Sequence, residues 1–120
     1  MWTMTSIRRM CIALLGALTL GCSSDSSTNP QNTSTITAAG SGDALAFSPQ
    51  SVTISASDSV KFVFKDITHN VVFDDPEQIG VPGDIVTVHD TTVSRTFTTA
   101  GTFAFHCTIH PVMTGHVVVQ

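Results

Sequence analysis

From about Ile36 to the end of the chain, apolar and polar residues alternate with a period of two, which a helix cannot use and a half-buried strand requires. Val52 and Ile54 alternate with Ser51, Thr53 and Ser55. After a turn at Ser57-Asp58-Ser59, Val60, Phe62 and Phe64 alternate with Lys61, Val63 and Lys65. Further runs fall at Ile85 to Val88, Val93 to Thr98, Phe103 to Cys107 and Gly115 to Val119, separated by Asp90-Thr91 and Ala100-Gly101. β-Branched and aromatic residues fill the runs, and turn formers bound them. The pattern predicts seven or eight short strands in two antiparallel sheets, an all-β, Greek-key β-sandwich over residues 36–120. Only Asp75 to Gly80 has helical character, with Asp75 as a cap and Pro76 at the first helical position. Arg95 shares parity with Val93 and Phe97, and is expected to carry its charge out to water along its stem.

The chain ahead of this domain reads as an address. Arg8 and Arg9 precede an uninterrupted apolar stretch from Met10 to Leu20, followed by Gly21-Cys22. A positive flank, a short hydrophobic run and a small residue make residues 1–21 a secretory signal peptide, too short to span a bilayer comfortably. The Gly-Cys junction resembles the lipobox of bacterial lipoproteins, which implies lipid on Cys22 and a membrane anchor. Residues 22–35, rich in Ser and Thr, form a polar tether. Localisation is therefore expected to be the periplasm or cell envelope.

Charge narrows the partners. The chain has five Lys+Arg against nine Asp+Glu, and only 12% charged residues in all. Losing Arg8 and Arg9 with the signal leaves three basic residues, too few to neutralise a run of phosphates, which excludes a nucleic-acid binder of the electrostatic kind. A hydrophobic content of 42% equally excludes disorder.

The cysteines carry the chemistry. Cys11 leaves with the signal, Cys22 takes lipid, and Cys107 remains as a single thiol in an oxidising compartment, where thiols are normally paired. A metal would protect it. Cys107, His110 and Met113 follow one another at intervals of three in a loop between two strands, so one turn offers a thiolate, an imidazole and a thioether. Soft sulfur beside imidazole selects copper, and a His₂Cys set with a weak Met is a blue-copper arrangement. It needs one more histidine. His69, which closes the Phe62/Phe64 strand, is the supplier. His106 alternates to the opposite face from Cys107, His116 is out of phase with Val117 and Val119, and His89 lies in a turn, so these three take no part in the site.

The Cys-x-x-His-x-x-Met segment, the His106-Cys107-Thr108 run, His69-Asn70-Val71 and the Phe47-Ser-Pro49 stretch resemble the cupredoxins, the small blue copper proteins, and among them the amicyanin, plastocyanin and pseudoazurin group. The resemblance covers residues 44 to 120. It implies one type 1 copper ion cycling between Cu(I) and Cu(II), with His69, Cys107 and His110 equatorial and Met113 axial. It also implies that Asn70 and Thr108 tie the two ligand-bearing loops together and orient the thiolate. Ile109 stands where amicyanin-like loops carry Pro, and Asp66 stands near where many members carry Asn.

The function this implies is single-electron transfer, not enzymatic turnover, in a monomer that exchanges electrons with redox proteins such as c-type cytochromes or a periplasmic oxidoreductase. A copper storage, delivery or sensing module is the alternative.

Overall fold

A computed structural model describes residues 32–120; the signal segment, Cys22 and the tether as far as residue 31 lie outside the described residues. Nine strands follow one another: β1 (Thr33–Ala39), β2 (Ala46–Ser48), β3 (Ser51–Ile54), β4 (Ser59–Phe64), β5 (His69–Phe73), β6 (Ile85–Val88), β7 (Thr91–Thr96), β8 (Gly101–His106) and β9 (Thr114–Val119). No helix occurs among the described residues. The alternation does what a period of two requires: β4 buries Val60, Phe62 and Phe64 while Lys61 stays in water, and β8 buries Phe103 and Phe105.

The strands form two sheets, one in the order β2-β1-β4-β7 and the other β3-β9-β8-β5-β6. The buried faces meet on a cluster of phenylalanines. Phe105 stands edge-on to Phe47, Phe62 and Phe73 at centroid separations of 4.9, 5.4 and 6.1 Å, the arrangement that ring quadrupoles favour. Strand β9 runs so close beneath this cluster that a Cβ on Gly115 would lie 2.6 Å from the Phe105 ring and 2.7 Å from the Gln50 carbonyl oxygen. Glycine there seats the start of β9, two residues after Met113, against the residue two before Cys107.

Several sequence expectations need correction. The sheets are mixed rather than antiparallel, because β1 pairs in parallel with β4 and β3 with β9. Side-chain alternation is the same in either direction, so it does not report strand sense. Strand β1 begins at Thr33, which places residues 33–35 in the sheet although their composition suits a tether. Segment 75–80 makes turns, not a helix: Asp75 Oδ1 accepts the Glu77 N–H at 3.0 Å and the Asp75 carbonyl accepts the Gln78 N–H at 3.2 Å. The capping chemistry of Asp75 is present, but no helix follows it. His69 opens β5 instead of closing the strand before it, because the chain turns through residues 65–68 first.

Strand ends decide where the chemistry gathers. The last residue of β4, the first of β5, the last of β8 and the first of β9 lie at one end of the sandwich, so the 65–68 link and the 107–113 loop share it. Asn32, the 55–58 turn and the end of β9 lie at the other, joined by backbone bonds from Ser59 to Asn32 and from Ala56 to Gln120.

Candidate metal centre

Cys107 continues the inward parity of Phe103 and Phe105 one step past the end of β8, and is completely buried. Its N–H donates to the Met113 carbonyl at 3.0 Å, extending the β8–β9 ladder beyond the His106–Thr114 pair. The Met113 N–H donates to the His110 carbonyl at 2.9 Å. These two bonds close the neck of the 107–113 loop. Met113 is buried within the hydrophobic core, whereas His110 is half-buried and Pro111 and Val112 are exposed.

A second pair of bonds fastens this loop to β5. Asn70 Nδ2 donates to Thr108 Oγ1 at 2.8 Å, and the Thr108 N–H donates to Asn70 Oδ1 at 2.9 Å. One side chain thus satisfies both a backbone and a side-chain partner 38 residues away. Its neighbour His69 points into the interior, and the β5–β6 register shifts between His69 and Val71. Such irregularities re-aim side chains next to functional sites. His69, Asn70 and Val71 are buried in succession, so both faces of β5 are covered where it enters the site.

The outcome is a convergence of three donors. The ligand atoms of His69, Cys107 and His110 all lie within 4.8 Å of one another, with Cys107 Sγ 3.8 Å from His110 Nδ1 and the two imidazole centroids 5.1 Å apart. His69 is wholly buried, yet neither Nδ1 nor Nε2 has a hydrogen-bond partner. Leaving a buried polar group unsatisfied costs about 1–3 kcal/mol, so these nitrogens fit a metal better than they fit a protein interior. Burial first, and next the electrostatic influence of the neighbouring His110 ring, hold the His69 imidazole below its ordinary pKa of 6.5. The Lys65 carbonyl and the Asp66 carboxylate pull weakly the other way. Although the Lys65 carbonyl lies near, it makes no well-formed hydrogen bond to the ring. His69 is therefore neutral, with a lone pair to give, as a metal ligand must be. One thiol and two imidazoles, with a buried thioether in the same loop, are the donors that suit copper.

The remaining histidines lie outside this cluster. His106 has a partner that its sequence position did not reveal: its Nδ1 lies 2.6 Å from Asp74 Oδ1, in the loop after β5. Strand pairing of Val72 with His106 brings them together, and no local pattern announces it. His89 faces the Asp66 carbonyl at 3.4 Å and Asp90 at 3.5 Å, and His116 is half-buried on the outer face of β9. Arg95 reaches outward as expected, but it also binds: Nε and a terminal nitrogen donate to the Gly83 and Asp84 carbonyls at 2.6 and 2.7 Å. It ties β7 to the segment that enters β6.

Residues 33–120 match the model of the copper-binding proteins of the plastocyanin/azurin family. The chain belongs to that family. It is 35% identical to plastocyanin of Ulva prolifera over 79 residues, 59% of this chain and 81% of that one. It is 37% identical to a chloroplastic plastocyanin of Physcomitrium patens over 87 residues, 66% of this chain and 52% of the relative. Among solved structures, a variant of amicyanin in its reduced Cu(I) form at pH 4 superposes with a TM-score of 0.62 at 27% identity, covering 73% of this chain and 82% of amicyanin. A copper-containing nitrite reductase of Thermus scotoductus superposes with a TM-score of 0.63 at 25% identity, covering 74% of this chain but only 22% of the reductase. The protein is accordingly a cupredoxin, a copper-binding protein of the electron-transfer kind, and its cofactor is one type 1 copper.

Proposed function

We propose that this cupredoxin is an exported, monomeric carrier of single electrons, held at the cell envelope by lipid on Cys22, and not an enzyme. The observation that carries the reading is the closed donor set: His69, Cys107 and His110 converge, with Met113 buried at the neck of the same loop. With copper bound, His69, Cys107 and His110 would be the strong ligands and Met113 a weak fourth, which would leave no position for substrate. When bound, copper supplies a one-electron couple between Cu(II) and Cu(I). The protein's part is to hold its ligands still. Asn70 and Thr108 clamp the Cys107 loop to β5, the Cys107–Met113 backbone bond shuts its neck, and the phenylalanine core backs it. Small ligand displacement between oxidation states is what rapid electron exchange requires. The match to a nitrite reductase spans about a fifth of that enzyme, so the likeness is to one part of it.

His110 is the ligand nearest to water. Around it Leu45, Ile109, Pro111 and Val112 form a shallow apolar depression with Asp43 as its one charged member. A surface of this kind suits brief docking by another redox protein, such as a c-type cytochrome or a periplasmic oxidoreductase. Outside the depression the domain carries more Asp and Glu than its basic residues Lys61, Lys65 and Arg95 can balance, which steers a basic partner. Export rests on the Arg8-Arg9 flank and the apolar run to Leu20, and anchoring on Gly21-Cys22.

Titrating the protein with Cu(II) while recording its absorption and voltammetry tests this reading. One equivalent should produce an intense blue band and a fast, reversible one-electron wave. Tight binding with neither would make the protein a copper store or carrier of the metal itself. Cys22→Ser should move the protein from membrane to soluble fraction with its copper spectrum unchanged, and a wild type found wholly in the soluble fraction removes the anchor.

A further inference from the structure

The link from β4 to β5 makes a tighter turn than a four-residue connection needs. The Ile67 N–H donates to the Lys65 carbonyl at 2.8 Å, closing the chain over two residues, and the residue between them, Asp66, has φ of +71°. This is a γ-turn of the strained, positive-φ kind. Asp is one of the few side chains that tolerate such a backbone, usually because its carboxylate bonds locally. Here the carboxylate reaches across instead, and Oδ2 accepts the Gly40 N–H at 3.0 Å. Gly40, with φ of +111°, begins the loop whose Gly42, Asp43 and Leu45 border His110. No side chain fits at Gly40, because a Cβ there would run into the Ala44 carbonyl. One carboxylate therefore bolts the link that delivers His69 to the loop that flanks His110.

Asp66 also brings a carboxylate close to the site. Among the described residues the ion pairs are His89 with Asp90 and His106 with Asp74, and Asp66 belongs to neither. It stands in the four-residue link that ends at His69, so its charge acts on the site from close by.

We propose that Asp66 is a positioning residue. By fastening the His69 link to Gly40 it holds His69 in register with Cys107 and His110, and by its charge it stabilises the oxidised, more positive state of the centre. The second half rests on the electron-carrier reading; the first does not. Asp66 is exposed, so water and salt screen its charge, and the effect is modest and sensitive to ionic strength.

Two variants separate the roles. Asp66→Asn keeps an oxygen for Gly40 and a residue tolerant of positive φ, but loses the charge. Asp66→Gly loses the bond as well, without backbone strain. In the metal-free protein the Gly40 amide should exchange with solvent about tenfold faster in Asp66→Gly than in wild type, and at the wild-type rate in Asp66→Asn. In the copper protein Asp66→Asn should lower the ratio of Cu(II) to Cu(I) affinity about three- to tenfold. At 59 mV per decade, that is a rise in potential of about 30–60 mV. The difference should fade in about 1 M salt, where the Debye length is about 3 Å. An unchanged Gly40 exchange rate in Asp66→Gly overturns the positioning role. A wild-type potential for Asp66→Asn at low salt, or a shift indifferent to salt, overturns the charge role. A wild type with no reversible wave sinks the electron-carrier reading and the charge role together, while the metal-free exchange still decides the positioning.

Discussion

Two polar side chains are buried at opposite ends of this sandwich, and their surroundings differ completely. Asp58, 3% exposed, has both oxygens occupied: Oδ1 accepts the Asn32 N–H at 3.1 Å and Oδ2 the Ser55 N–H at 3.0 Å. Its own backbone bonds to Ser55 and Phe97. His69, 0% exposed, has two nitrogens and no partner for either. Buried polar groups in native proteins are satisfied almost without exception. Asp58 obeys the rule and so belongs to the structure, where it pins the entry of β1 to the 55–58 turn. His69 breaks it, and the broken rule marks the site. Asn70, beside His69, shows the two behaviours meeting, since its amide nitrogen and oxygen both bond to Thr108 and thereby brace the ligand loop.

That contrast can be attacked from both sides. The largest effect is expected at the site itself. Cys107→Ser should abolish the blue band altogether. It should also remove the stabilisation that copper confers, about 2.7 kcal/mol at a hundredfold excess over Kd; a surviving blue colour would mean that the thiolate is not a ligand. Next comes Asp58→Ala, which strands two backbone N–H groups and should cost about 2–4 kcal/mol, or about 10–20 °C in Tm for a domain of this size. Its copper spectrum should remain that of wild type, and a bleached or shifted band would show that the two ends are coupled. A smaller change of the opposite sign is expected for His69→Leu. Removing two orphaned nitrogens should raise the Tm of the metal-free protein by about 4–8 °C, equivalent to about 1 kcal/mol, while copper binding fails. If His69→Leu instead destabilises the metal-free protein as Asp58→Ala does, the distinction between the two groups collapses.

The smallest effect is a pH dependence of the metal-free protein. Burial and His110 depress the His69 pKa in the native state below the 6.5 of the unfolded chain. Below pH 6.5 the unfolded chain takes up a proton that the native state resists, so stability is complete above that pH and declines as pH falls. Thermal unfolding of the metal-free protein at pH 7.5 and at lower pH should show this loss, and His69→Leu should show a shallower one. Equal slopes in the two proteins would mean that His69 is not desolvated as its burial implies.

What could be read from sequence was local. Strand parity placed Phe62, Phe105 and Val117 inside because a pleat repeats every two residues wherever the strand lies. The spacing of Cys107, His110 and Met113 announced copper because three donors in one loop are brought together by the chain itself. His69 was reached by counting the donors still needed, and Asn70 and Thr108 by family resemblance. Other features depended on which strands became neighbours. The parallel pairing of β1 with β4, the Asp58 latch on Asn32, the His106–Asp74 pair and the grip of Arg95 on Gly83 and Asp84 each join residues far apart in the chain. The same holds for the bond from Asp66 to Gly40, 26 residues away. A period of two fixes which way a side chain points but is blind to strand order and direction. By itself, therefore, the sequence determined an all-β domain and the donors available to a metal. Only the tertiary structure decided that a buried His69 meets Cys107 and His110 with its nitrogens unclaimed, because burial and unmet hydrogen bonds exist only once distant strands have closed around them.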